Sequence, residues 1–145
     1  MQLTEFKAEH LLMLEMQNTL DTELINKDEI LEEGRKKEGK SFTLTNDGTI
    51  VGCGGVKHLW DGVYEAWAIP SVHVVNNKRD AIVACQKGLK NILDDDPSIK
   101  RIHALVLSGF DAGTRMAVYL GFICEGILRK YGTKGEDYRM FSIVR

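Results

Sequence analysis

Apolar side chains recur along this chain first at helical spacing and then in alternation, and the change of period at Ser41 separates leading helices from a sheet. Ala8 to Gln17 carries Leu11, Leu12, Met13, Leu14 and Met16, a dense apolar face, and the acidic Glu5 and Glu9 suit the beginning of a helix. A second helix is predicted over Lys27 to Lys37, with Asn26 as its cap, Glu29 at capping-box spacing, Gly34 weakening its end and Gly39 terminating it. From Ser41 to Thr45 the pattern alternates, Asn46-Asp47-Gly48 supplies a tight reversal, and Thr49 to Leu59 forms the returning strand. Within that strand Gly52-Cys53-Gly54-Gly55 is too short and wrongly placed for a nucleotide phosphate loop. Its glycines mark a bulge or a backbone that another group approaches closely.

Asp61-Gly62 turns the chain into Val63 to Ile69, where alternation sets Glu65 and Trp67 on one face and Tyr64, Ala66 and Ala68 on the other. Val72 to Val75 is predicted to be extended, Arg79 to Leu93 helical, and Ile99 to Leu107 a further strand. This order favours a parallel crossover with the helix over one sheet face. The break at Asn76-Asn77-Lys78-Arg79 offers backbone donors and two positive charges to a phosphate, or simply caps a solvated helix. A last helix over Asp111 to Leu120 stops at Gly121. Phe122 to Leu128 and Tyr138 to Val144 then form a closing hairpin across Gly132 to Gly135. The fold class is α/β, a mixed sheet flanked by helices.

The length of 145 residues suits one domain with one core over 1–145. Nineteen Lys and Arg against 21 Asp and Glu give a formal charge of −2, so no global attraction to nucleic acid or an anionic membrane is implied. Arg129-Lys130 beside Tyr131 is one short charged group and makes no clear nucleic-acid surface. No run is long enough to span a membrane, and Met1 to Glu5 lacks the order of a secretory signal, which points to the cytoplasm. Cys53, Cys85 and Cys124 are widely spaced and odd in number, against a disulfide framework, and each is read as core. His10, His58, His73 and His103 lack the spacing of a zinc site, so no metal is assigned. Trp60 and Trp67 either line a cleft or are buried in the ordinary way.

With this order of elements the chain resembles the GCN5-related N-acetyltransferase superfamily. Its tail, through Gly121-Phe122, Glu125-Gly126, Leu128-Arg129 and Phe141-Ser142, is most similar to ribosomal-protein alanine acetyltransferases. Its compact middle also resembles small acetyltransferase-like proteins of tailed bacteriophages.

The resemblance implies a splayed sheet in which a V between the fourth strand, Glu65 to Val75, and the fifth, Ile102 to Leu107, receives acetyl-coenzyme A. Backbone groups near Val72 and Val74 would hold the pantetheine by strand-like hydrogen bonds. Asn76, Asn77, Lys78 and Arg79 would meet the pyrophosphate, and Leu107 and Ser108 would flank the coenzyme where the fifth strand ends. The family's phosphate loop carries two spaced glycines that this one lacks, which shifts the burden to side-chain charge. Glu65 is the first candidate for the base that deprotonates a primary amine, ahead of Glu125. The family's tyrosine acid falls on Ala117, which cannot donate a proton. Tyr119, two residues on, is the candidate replacement, or packs instead. The implied activity is acetyl transfer to a primary amine of a protein or small molecule, by a monomer or homodimer. The alternative is a noncatalytic acetyltransferase-fold protein of bacteriophage assembly or interaction, with association to the virion.

Overall fold

The computed structural model describes residues 1–18 and 25–145. Strand β1 (Gln2–Glu5) and helices α1 (Ala8–Asn18) and α2 (Lys27–Lys37) precede a meander of β2 (Ser41–Asn46), β3 (Thr49–Trp60) and β4 (Val63–Pro70). Helix α3 (Lys78–Asp95), β5 (Arg101–Leu107), α4 (Asp111–Tyr119), β6 (Ile123–Leu128) and β7 (Tyr138–Val144) follow. The seven strands form one sheet in the order β1-β2-β3-β4-β5-β7-β6. It is mixed, because β4 and β5 run parallel across the α3 crossover while every other neighbouring pair is antiparallel. No helix among the described residues is long and apolar enough to cross a membrane.

The hydrophobic pattern locates nearly all of these elements, and three of its expectations change. The start of the chain is a strand: Glu5 pairs with Phe42 in β1 and does not open α1, and Phe6, just beyond it, is 1% exposed. Val72–Asn76 is a turn of 3-10 helix, not extended chain. Pro70 ends β4 without an N–H to offer, and the Ser71 side chain accepts from the His73 N–H at 3.1 Å, so local bonding outcompetes strand geometry. Cys124 is exposed rather than core, because β6 is the edge strand and its residues face solvent.

Other details follow the sequence closely. Asn26 Oδ1 accepts from the Glu29 N–H at 3.2 Å and so caps α2. Asp47 and Gly48, both at positive φ, make the β2–β3 reversal. Gly34 has a packing role: a Cβ there would lie 2.8 Å from Ala8 Cα, so its absence lets α2 close on α1.

The core lies on both sheet faces. Phe6, Leu11 and Leu14 cover one face with Ile50 and Cys53. On the opposite face one cluster joins Leu89 and Ile92 of α3 to Tyr64, Ile102, Ala117, Phe122 and Phe141, and another sets Ala81, Ala84 and Cys85 against Leu44 and Val51. Burying each large aliphatic side chain contributes about 1.5–3 kcal/mol. The α3 face comes close to the sheet at Gly88, where a Cβ would meet the Phe42 ring at 2.5 Å.

Candidate functional site

Strands β4 and β5 pair over only three positions, Val63 with Arg101, Tyr64 with Ile102 and Glu65 with His103. Beyond that seam each strand keeps its other neighbour: β4 stays paired with β3 as far as Pro70, and β5 with β7 as far as Leu107. The sheet therefore opens into a V whose vertex is the pair Glu65 and His103. The backbone of Ala66 to Ile69 has an unpaired edge facing this opening, which leaves hydrogen-bonding groups for a ligand.

On the α3 side of the opening lies an apolar cavity of about 90 Å³. Short side chains make the room: Gly52, Gly54, Ala66, Ala68 and Ala81 line it with Cys85. The glycines of β3 are needed for close backbone approach, since a Cβ on Gly52 or Gly54 would stand 3.1 Å from the carbonyl oxygen of Ile69 or Trp67. A bulge accompanies them, Ile50 facing Thr45 and Gly52 facing Leu44 with Val51 between.

Helix α3 begins beside the 3-10 turn with Asn77 at its N-cap, but Asn77 makes no side-chain capping bond. Its side chain is used elsewhere, donating to the His73 carbonyl at 2.9 Å and accepting from Asn46 Nδ2 at 3.1 Å. Among the described residues the first-turn amides of α3 thus lack a side-chain acceptor, in the positive field of the helix end. Asn76, Lys78 and Arg79 are exposed around them. Val72 and Val74 do not offer the strand-like amides expected of them. The Val72 N–H donates to Asn18 Oδ1 at 2.9 Å and the Val74 N–H to the Ser71 carbonyl at 3.2 Å. The extended, open-edged backbone lies upstream at Ala66 to Ile69.

Glu65 lies on the opposite sheet face, with Trp67, which packs edge-on against Phe6 under Lys37. Its side chain is 40% exposed, and its Oε2 lies 3.7 Å from Nε2 of His103. Glu125 has a different environment. Arg101 Nη1 meets its carboxylate at 2.6 Å. The Ser142 hydroxyl first and Arg101 second hold its carboxyl below the usual carboxylate range, which makes it a weaker proton acceptor. Tyr119 is 57% exposed, and Met116 and Leu120 of the same stretch, not Tyr119, line the cavity. Ala117 is buried in the core. Leu107 is exposed at the end of β5, and Ser108 follows with its amide bound to the Asp137 carbonyl at 2.9 Å and its hydroxyl buried without a partner among the described residues. Trp60 is 62% exposed and outside the cavity lining, whereas Trp67 borders the cavity from β4 while its ring packs on the opposite face against Phe6.

His103, Arg101 and Ser142 were not singled out from sequence as site residues. Alternation along β5 and β7 puts Arg101 and His103 on one face of β5, and the β5–β7 register sets Ser142 opposite His103. Only the parallel register brings that face to Glu65.

Burial governs the thiols. It pushes the Cys85 thiol up to about 11 and raises that of Cys53, the latter partly offset by a hydrogen bond with Thr43. A neutral thiol is a poor nucleophile, so a disulfide reagent at pH 8 is expected to modify Cys124 quickly and all three cysteines only in denaturant. Two or three fast equivalents in the native protein would contradict this burial. The raised Cys85 value also sets a sign. The folded state binds that proton more tightly, so the contribution is whole below the unfolded value of 9.0 and is lost as pH rises toward about 11.

No family model matches this sequence, and no curated protein matches it. Solved structures do. A chimera of the spermidine N-acetyltransferase SpeG from Vibrio cholerae with hSSAT superposes with a TM-score of 0.76 at 15% identity, covering 99% of this chain and 96% of that one. A GNAT-family acetyltransferase from Bacillus anthracis gives 0.73 at 18% identity, covering 98% and 93%. Another from Streptococcus pneumoniae gives 0.70 at 13%, covering 99% of each chain. At these identities the likeness is one of fold: the seven-stranded mixed sheet flanked by helices is the GNAT acetyltransferase fold.

Proposed function

We propose that this protein is an acetyl-coenzyme A-dependent N-acetyltransferase acting on a primary amine of a protein or small molecule. The observation that carries this reading is the parting of β4 from β5 immediately after Glu65 and His103. The residues around that opening suit a long, narrow acyl carrier with an anionic end. Ala66 to Ile69 present unpaired extended backbone, the cavity beside them is apolar and lined by small residues, and the α3 amides with Lys78 and Arg79 suit phosphate.

Acetyl-coenzyme A would supply an acetyl group activated as a thioester. Glu65, half-exposed on the α1–α2 face, takes one proton from the incoming ammonium and so frees the nitrogen lone pair. That nitrogen forms the new bond to the acetyl carbon, the carbon–sulfur bond breaks with its electrons going to sulfur, and the amine's second proton ends on the thiol through water. The unpaired N–H groups on the open edge of β4 would be available to the oxygen on which negative charge develops. Tyr119, turned to solvent, has no part in this scheme, and a thiolate is a tolerable leaving group without a dedicated acid. The tail's likeness to ribosomal-protein alanine acetyltransferases makes a protein α-amine one acceptor to try. The neighbour described as a spermidine N-acetyltransferase makes a polyamine another.

Calorimetry with coenzyme A, followed by transfer of labelled acetyl groups to spermidine and to a peptide α-amine, tests this reading. No heat at saturating coenzyme would reject it in favour of a noncatalytic role. Within it, the double substitution Lys78→Ala with Arg79→Ala is expected to weaken coenzyme A by about tenfold, as for loss of charge-assisted phosphate contacts. Binding of pantetheine, which has no phosphates, should not change. An equal loss for both ligands would mean that these side chains support the loop rather than the phosphates.

A further inference from the structure

His103 is a nearly buried imidazole, 8% exposed, at the vertex of the opening, and its two ring nitrogens stand in different surroundings. Nε2 faces the Glu65 carboxylate at 3.7 Å, while Nδ1 is buried with no hydrogen-bond partner among the described residues. A neutral imidazole carries its proton on one nitrogen and a lone pair on the other. A buried N–H without an acceptor is rarer in folded proteins than an under-satisfied acceptor, so the proton belongs on Nε2 and the lone pair on Nδ1. That tautomer aims an N–H at Glu65, with roughly 0.8 Å to close before hydrogen-bond distance is reached.

The other charged groups nearby leave this role to His103. Arg101, two residues earlier on β5, is engaged by Glu125 of β6. Lys57 of β3 stands in register with Glu65 but is exposed, and Lys37 of α2 lies over Trp67. Ser142 of β7, in register with His103, carries no charge.

We propose that His103 is the positioning residue of the base, donating its Nε2–H to Glu65 Oε2 and leaving the other carboxylate oxygen directed at the acceptor amine. The proposal rests on the assignment of Glu65 as base. It adds a residue that never touches the substrate and acts only through that carboxylate.

Side-chain amides test the geometry, because the Gln amide nitrogen reaches the place of Nε2 and the Asn amide nitrogen that of Nδ1. His103→Ala and His103→Asn are expected to lower kcat about tenfold to a hundredfold, the worth of one hydrogen bond to a charged group. His103→Gln should restore most of it, with the KM for acetyl-coenzyme A unchanged throughout. In a Glu65→Gln background, His103→Ala should cost little more, since both changes remove one unit. Equal activity of the Gln and Asn variants would overturn the proposal.

A second measurement is independent of turnover. Nitrogen-15 NMR of the histidine rings at neutral pH should show His103 as the Nε2–H tautomer, with its ring signals shifted by Glu65→Gln. An Nδ1–H tautomer, or signals indifferent to Glu65, would overturn the pairing whether or not spermidine or the peptide is acetylated. Absent coenzyme binding would reject the acetyltransferase reading separately.

Discussion

Replacing Glu65 by Gln is expected to lower kcat for acetyl transfer by about 10²- to 10⁴-fold, the usual contribution of a positioned general base. Glutamine keeps the size and the hydrogen-bonding oxygen of the side chain but cannot take a proton from an ammonium. The substituted position faces the α1–α2 side of the sheet, while the apolar cavity and the α3 amides lie on the other, so coenzyme A affinity should stay within about twofold, a difference under 1 kcal/mol. The loss should therefore appear in kcat and not in the KM for acetyl-coenzyme A, and the pH–rate profile should change with it. Unchanged turnover with an unchanged pH profile would remove Glu65 from the mechanism. Glu125 would not then inherit the role readily, because Ser142 and Arg101 hold its carboxyl in the charged, weakly basic state.

Gly55→Ala is expected to destabilise the fold by about 3 kcal/mol, a large overpacking effect against a total of roughly 5–15 kcal/mol. A Cβ at Gly55 would run into the Lys40 carbonyl oxygen and the Ser41 hydroxyl and lie 2.5 Å from Ser41 Cα. Two of these three atoms are backbone. They cannot swing aside, because the Lys40 carbonyl accepts from the Val56 N–H at 2.9 Å and Ser41 is in register with Gly55 itself. Relief requires β2 to move away from β3, which disturbs the strands that back the open edge of β4. Urea unfolding measures the loss, with Gly126→Ala as the control: its added Cβ meets nothing within 4 Å among the described residues, and its φ is not in the left-handed region. Equal midpoints for the two variants would show that β2 yields at that position.

The sequence carries the order of elements because each has a local cause. Asn26 caps α2, Asp47-Gly48 turns β2 into β3, and alternation from Val63 sets Glu65 and Trp67 on one face, all from interactions within a few residues. The site is less legible because it depends on register across long separations. Glu65 meets His103 only after α3 has brought β5 alongside β4, and nothing local to either residue records that. The turn at Val72–Asn76 misleads for a related reason. Three valines favour a strand, but Pro70 and the Ser71 side chain decide locally for a 3-10 turn. Cys124 misleads because its apolar neighbours Ile123 and Ile127 suggest burial, whereas they occupy the open rim of the sheet, 73% and 55% exposed.

The order β5-β7-β6 bears on how the protein is made. Strand β7 is synthesised after both of its neighbours in the sheet, and it pairs with β5 along its whole length, from Arg101 opposite Val144 to Leu107 opposite Tyr138. On a ribosome, β1 to β4 can assemble as soon as Pro70 emerges. Strand β5 must then wait with three residues zipped to β4 and its other edge bare until residues 138–144 arrive. For that interval the nascent chain displays the kind of unpaired strand that recruits other strands, and the pairing that ends it is distant in sequence and slow to find. Until β7 arrives, the edge of β5 that it covers is therefore the place where a nascent chain of this topology is open to pairing with other strands.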